Sequence, residues 1–268
     1  MTERPVLEPV LAAPANSGAV VFLGPTLPVN RARSILGADY RPPAQQGDVV
    51  HAVVAGAAAI GIVDGLFGRV APVWHKEILW ALSRHVPVYG SASMGALRAA
   101  ELHVFGMIGV GAIFEGYRSG GIEDDDEVAL IHGPASLGSP LLSDALCNIR
   151  ATLAAARKAR ILDETEMDGL LRIAKRMHYT ERRYAALMEQ AKTLLPPPRI
   201  ERLRRFCAEH AVDQKGRDAI AMLVRMEQDR RRGWRCEIAE FTVAMTAGLQ
   251  RMIREAGHPL DAPRAPSP

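Results

Sequence analysis

Three short apolar runs, AVVFLG (19–24), IGIVDG (60–65) and VPVYG (86–90), each close on a glycine, and the segments between and after them carry helical patterns. A strand that must lie parallel to its neighbour needs a crossover, so three strand–helix alternations restrict the chain to a parallel sheet covered by crossover helices. Asp48 reads as the N-cap of VVHAVVAGAAA, and Trp74, Ile78, Leu79 and Leu82 form an apolar stripe along WHKEILWALSRH. ADYRPPAQQGD reads as a loop. VALIH (128–132), behind the acidic run Glu123 to Glu127, reads as a fourth strand. In a sheet of this kind the ligand site lies at the carboxyl ends of the strands.

From Pro140 onward the patterns are helical only, over about 140–160, 163–176, 180–194, 198–210, 215–232 and 234–256, with Pro196, Pro197 and Pro198 as a divider. The fold class expected is therefore α/β, a parallel sheet core with crossover helices followed by an all-helical C-terminal region. Residues 1–17 are expected to be a disordered leader, 18–140 the α/β core, 141–256 the helical region, and 257–268, with four prolines, a disordered tail.

Charge divides the same way. There are 9 Lys and Arg against 14 Asp and Glu before residue 150, and 24 against 16 from there on. A basic C-terminal half could meet an acidic protein, an acidic peptide or, less expected, a nucleic acid, while glutamates interspersed among the arginines at helical spacing also fit a set of solvated helix faces. The longest apolar runs are broken by charge well short of the roughly 20 residues a bilayer requires, so no membrane span is expected. The N-terminus lacks a basic stretch leading into an apolar one, and Cys147, Cys207 and Cys236 are odd in number and widely spaced. Both features point to a reduced, cytoplasmic location.

The sharpest local signal is the strand VPVYG followed by Ser91-Ala92-Ser93-Met94-Gly95 and a helix. A serine nucleophile on a tight strand-to-helix turn needs small residues two positions away on either side, and Ser91 and Gly95 meet that need for Ser93. Free N–H groups at the helix start can hold an oxyanion, so Met94 is a candidate donor. A base is also required. His132, at the end of the expected fourth strand, ranks first, His75 second, and Asp64 is a candidate orienting carboxylate alongside Asp124 to Asp126. Arg98, one turn beyond Met94, is placed to meet an anionic substrate end, or else to pair with Glu101 at i,i+3. Ser91, Lys76 and Glu77 complete the candidate substrate contacts. A metal site built from His75, Lys76, Glu77, the aspartates and His132 lacks any H-E-x-x-H or paired-cysteine spacing, so no metal and no cofactor is expected.

GSASMGA followed about forty residues later by LIHGP is similar to the nucleophile and histidine segments of Clp-type serine peptidases, without a counterpart of their aspartate. That resemblance makes Gly65, after the IGIVD strand, a second candidate oxyanion donor. A broader resemblance covers residues 20 to about 133. VFLGPTLP, YRPPAQQGD, IGIVDGLFG, VWHKEILWAL, VYGSASMGALRAAEL, FGMIGVGAIF and DDDEVALIHGP, in that order, resemble the successive motifs of the TfuA-like core. The resemblance implies a partner of YcaO-type enzymes, which use ATP to activate a peptide carbonyl, in replacing the carbonyl oxygen by sulfur. It implies an accessory protein that releases or channels sulfide from a thiocarboxylated sulfur-carrier protein, with the precursor peptide as a further contact. The alternatives are a non-catalytic docking or activating partner of the YcaO-type enzyme and, behind it, a serine peptidase.

Overall fold

The computed structural model describes residues 16–66, 70–133 and 140–257. The expected leader and tail thus lie almost wholly outside the described residues. The chain runs β1 (Asn16–Phe22), α1 (Val29–Arg33), β2 (Gly37–Arg41), α2 (Asp48–Val54), β3 (Ala59–Ile62), α3 (His75–Ser83), β4 (Val88–Ser91), α4 (Met94–Leu102), β5 (Ile108–Val110) and α5 (Ala112–Arg118). Helices follow: α6 (Leu146–Lys158), α7 (Glu164–Arg176), α8 (Tyr184–Gln190), α9 (Pro197–His210), α10 (Gln214–Arg232) and α11 (Ala247–Glu255). The five strands form one parallel sheet in the order β2-β1-β3-β4-β5, with Val20 beside Ile60, Ile60 beside Val88 and Tyr89 beside Ile108. The order reverses between β1 and β3, the position where doubly wound sheets open a crevice.

The α/β class is as the sequence predicts, and three of the five strands coincide with the glycine-closed apolar runs. β3 and β4 are buried along their whole length because both sheet faces are covered. On one face Phe22, Ile60, Ile62 and Val88 pack against Val49, Ile78, Leu82, Ala99 and Phe114 of α2 to α5. On the other, Val21, Ala59, Val63 and Tyr89 pack against Ala219, Met222, Leu223 and Met226 of α10. Gly61 lets α10 come this close, since a Cβ there would lie 2.9 Å from Met226 Sδ.

Two strands depart from the sequence reading. β2 occupies part of the segment read as loop: it is an edge strand, half-exposed along most of its length, so it needs no continuous apolar run. β5 is three residues long between Gly106 and Gly111, both at positive φ, and it takes the place beside β4. VALIH is consequently not a strand of this sheet. Among the described residues its one pairing is an isolated antiparallel bridge of His132 with Leu141.

The helices α6 to α9 close around their own core of Leu146, Ile149, Leu153, Leu170, Ile173, Leu187 and Leu203. The expected helix over 234–256 is shorter. Gly233, at φ +81, ends α10, and residues 234–246 run without helix past the sheet, with Phe241 edge-on to Phe105, before α11 packs on Val50 and Trp80. Part of the basic charge is answered within the chain: Lys175 pairs with Asp124 and Asp126, and Arg150 with Glu127. Arg182 is fully buried, donating to the carbonyls of Ala174, Met177 and Asp126 and to the Asp126 carboxylate. No helix among the described residues is long and apolar enough to cross a membrane.

Candidate functional site

The turn from β4 into α4 is as tight as its sequence implies. A Cβ on Gly95 would lie 1.7 Å from the Ile62 carbonyl oxygen, and one on Gly90 2.1 Å from the Gly95 oxygen, so only glycine lets α4 rest on the sheet at these two positions. The left-handed residue of the turn is Ala92, at φ +65, one position before Ser93. Such a conformation costs a non-glycine residue on the order of 1–3 kcal/mol and persists where the surroundings enforce it. Ser93 follows at φ −126 and is 3% exposed.

Its partner comes from the far end of the chain. Lys215 Nζ lies 3.2 Å from Ser93 Oγ and 3.0 Å from the Val128 carbonyl, and Lys215 is itself 3% exposed. Its backbone N–H donates to Asn148 Oδ1 of α6, and Asp213 caps α10 by accepting from Gly216. One turn on, buried Asp218 accepts from the Ile113 N–H at the start of α5 and from Gln214 Nε2. Burial raises the Asp218 carboxyl above its usual range, against the pull of those donors. Asp218 therefore locks α10 to α5 while Lys215, on the same helical face, meets Ser93. No carboxylate among the described residues forms an ion pair with Lys215, so its amine is free of the usual buried counter-ion. A buried amine against a serine hydroxyl is an arrangement in which the amine can take the hydroxyl proton.

The histidines stand elsewhere. His132 is exposed, with Nδ1 2.9 Å from the Gly133 carbonyl, and does not hydrogen-bond Ser93. His75 Nε2 is 2.7 Å from Glu101 Oε2, the same atom that accepts from Arg98 Nη1 at 2.7 Å, and Arg98 Nε donates to the Val73 carbonyl. Burial pushes the Glu101 carboxyl up, but hydrogen bonds from His75 and Arg98 outweigh it and hold the group below the usual range. Arg98 and Glu101 line a cleft of about 510 Å³ together with Met94, Leu97, Glu123 and Asp125. Arg98 thus pairs with Glu101, one of its two sequence readings, and also lines the cleft.

Asp64 sits at the crevice between β1 and β3, and both its oxygens are occupied, Oδ2 by the Gly24 and Thr26 N–H groups and Oδ1 by the Thr26 hydroxyl. It shapes the β1–α1 loop rather than orienting a histidine. Glu77 is fully buried and accepts from the N–H groups of Gly47, Val49 and Trp74, tying the start of α2 to α3. Lys76, half-buried on α3, makes no ion pair with a described residue. Gly65 lies against Met94, whose Cγ a Cβ would approach to 2.6 Å, and neither the Gly65 nor the Met94 N–H donates to another described residue. Ser91 is fully buried two residues before Ser93. Among the described residues no three histidine, cysteine or acidic side chains gather as a metal ion would require. Burial pushes the Cys147 thiol up to about 12 and the Cys207 thiol to about 11, which leaves neither as a thiolate.

Lys215 is the residue that reading the sequence missed, 122 positions beyond Ser93. One signal was present: it is the second residue of a 19-residue helix with no acidic residue in its first turn, where the helix dipole disfavours a cation.

No curated protein matches the chain. A family model described as TfuA-like protein matches residues 64–183, from Asp64 through the Ser93 turn to α7 and Arg182. Over residues 64–183, a little under half of the chain, the sequence is similar to that family.

Proposed function

We propose that the protein releases hydrosulfide from a thiocarboxylated sulfur-carrier protein for use by a YcaO-type enzyme, with Ser93 as nucleophile and Lys215 as general base. The observation that carries this reading is the buried Ser93–Lys215 pair at the carboxyl end of β4. Lys215 takes the Ser93 Oγ proton as the oxygen attacks the thiocarboxylate carbonyl. The oxyanion faces the free N–H groups of Gly65 and Met94. The tetrahedral intermediate collapses as Lys215 returns the proton to sulfur, hydrosulfide leaves, and the carrier remains as an ester on Ser93. Water then gives one proton to Lys215 as its oxygen bonds the acyl carbon, Lys215 passes that proton to the departing Ser93 Oγ, and the carrier leaves as an ordinary carboxylate whose acid proton goes to solvent.

Substrate form follows from access. Ser93 is almost fully buried, so the acyl group must enter on a narrow chain, and terminal glycines are the narrowest available. Arg98, in the cleft that Met94 also lines, supplies positive charge for the thiocarboxylate. The test is hydrosulfide release from the carrier by Ser93→Ala. The variant should fold and lose release by about 10³-fold or more, with an acyl adduct on Ser93 trapped in the wild type by mass spectrometry. Wild-type release by Ser93→Ala would remove the reading and leave a non-catalytic docking partner of the YcaO-type enzyme in its place.

A further inference from the structure

One buried hydroxyl has no part in the steps above. Ser91 is the last residue of β4 and fully buried, and among the described residues its Oγ is the one buried side-chain polar atom with no hydrogen-bond partner. Its direction follows from strand alternation. Val88 faces the layer of α2 to α5 and Tyr89 faces α10, so Ser91, two residues after Tyr89, also faces α10. That is the helix whose first turn carries Lys215. The Ser91 carbonyl accepts from the Ser93 N–H at 2.7 Å, which draws the two serines into one tight turn. As a base, Lys215 Nζ has two N–H groups, which Ser93 Oγ and Val128 O accept, and one lone pair left to take a proton.

An unpaired hydroxyl and a spare amine position thus flank the nucleophile on one side of the strand, without touching each other. We infer that Ser91 Oγ and Lys215 Nζ together hold the water that cleaves the ester on Ser93, so that Ser91 is a positioning residue for the second half-reaction; the inference rests on the serine–lysine reading above. In that step the water donates one proton to Lys215 and its oxygen bonds to the acyl carbon, while Ser91 accepts or donates the second hydrogen bond that fixes its approach. The first half-reaction needs no water and therefore no Ser91.

The two halves separate in a rapid-mixing experiment on the full chain with a synthetic peptide ending in a glycine thiocarboxylate, reading hydrosulfide and the intact mass of the protein. Ser91→Ala should release the first equivalent of hydrosulfide at the wild-type rate within about twofold and then turn over roughly 10²-fold more slowly, with most of the protein standing as acyl-Ser93. Added hydroxylamine, which cleaves the ester directly, should restore turnover. Because Ser91→Ala removes a hydroxyl that bonds nothing, its thermal midpoint should match or exceed that of the wild type. A first equivalent slowed as much as turnover, an unchanged steady rate, or a lowered midpoint would each overturn the inference. If the wild type itself forms no acyl-Ser93, the serine–lysine reading fails first and this inference with it.

Discussion

Replacing Lys215 by methionine tests the proposed base with the least disturbance to the fold. The substitution keeps an unbranched side chain in a pocket where Lys215 is 3% exposed, and removes only the amine that contacts Ser93 Oγ and the Val128 carbonyl. Leaving that carbonyl unpaired costs about 1–3 kcal/mol, while a methionine buried at the same place contributes roughly 1.5–3 kcal/mol. The two nearly cancel, so the urea midpoint should stay close to wild type. Activity should not. A positioned base contributes about 10²–10⁴-fold, and hydrosulfide release should fall by that factor. Nucleophile and base act as a unit, so Ser93→Ala with Lys215→Met should be no slower than Ser93→Ala alone. His132→Ala, by contrast, should release hydrosulfide at nearly the wild-type rate, because its ring bonds the Gly133 carbonyl and not Ser93. Release within threefold of wild type by Lys215→Met, or a severe loss confined to His132→Ala, would refute the assignment and return the base to the histidine.

Two predictions concern stability. Burial pushes the Glu77 carboxyl up to about 7 from an ordinary 4.5, against N–H donors from Trp74, Gly47 and Val49. A raised folded-state value contributes stability that is full below pH 4.5 and is lost as pH rises through 7, on the order of 3 kcal/mol in all; urea unfolding at pH 5 and pH 8 should show that loss in wild type and not in Glu77→Gln, and equal losses in both would count against it. Arg182→Met should cost about 3 kcal/mol, because it leaves three buried carbonyls and Asp126 without their donor, although Lys175 still holds Asp126; a loss under about 1 kcal/mol would show that the guanidinium is dispensable.

What the sequence discloses follows the number of faces an element buries. β1, β3 and β4 are covered on both sides, so they must be apolar throughout and can be read directly. β2 lies at an edge and β5 is three residues between glycines, and neither leaves that mark. VALIH has the composition of a strand because Val128 and Ala129 are buried, yet they are buried outside the strands of the sheet. The site divides likewise. The Ser93 turn is local, dictated by Gly90, Gly95 and the close approach of α4, and is legible at once. The partner of Ser93 is a matter of topology: α10 returns across the sheet after four intervening helices, and spacing in sequence cannot report that return.

That return also sets an order of events during synthesis. When Ser93 is added to the growing chain, Lys215 is still 122 residues from being made, an interval of roughly 6–24 s at ordinary elongation rates. Until α10 is complete, Met222 and Met226 are missing from the sheet face that Tyr89 and Val63 present, and the nascent chain carries a serine turn with no amine beside it. A fragment trimmed to residues 64–183 would likewise carry the nucleophile of the proposed reaction without Lys215, and would lack β1, β2, β3 and the α10 layer as well.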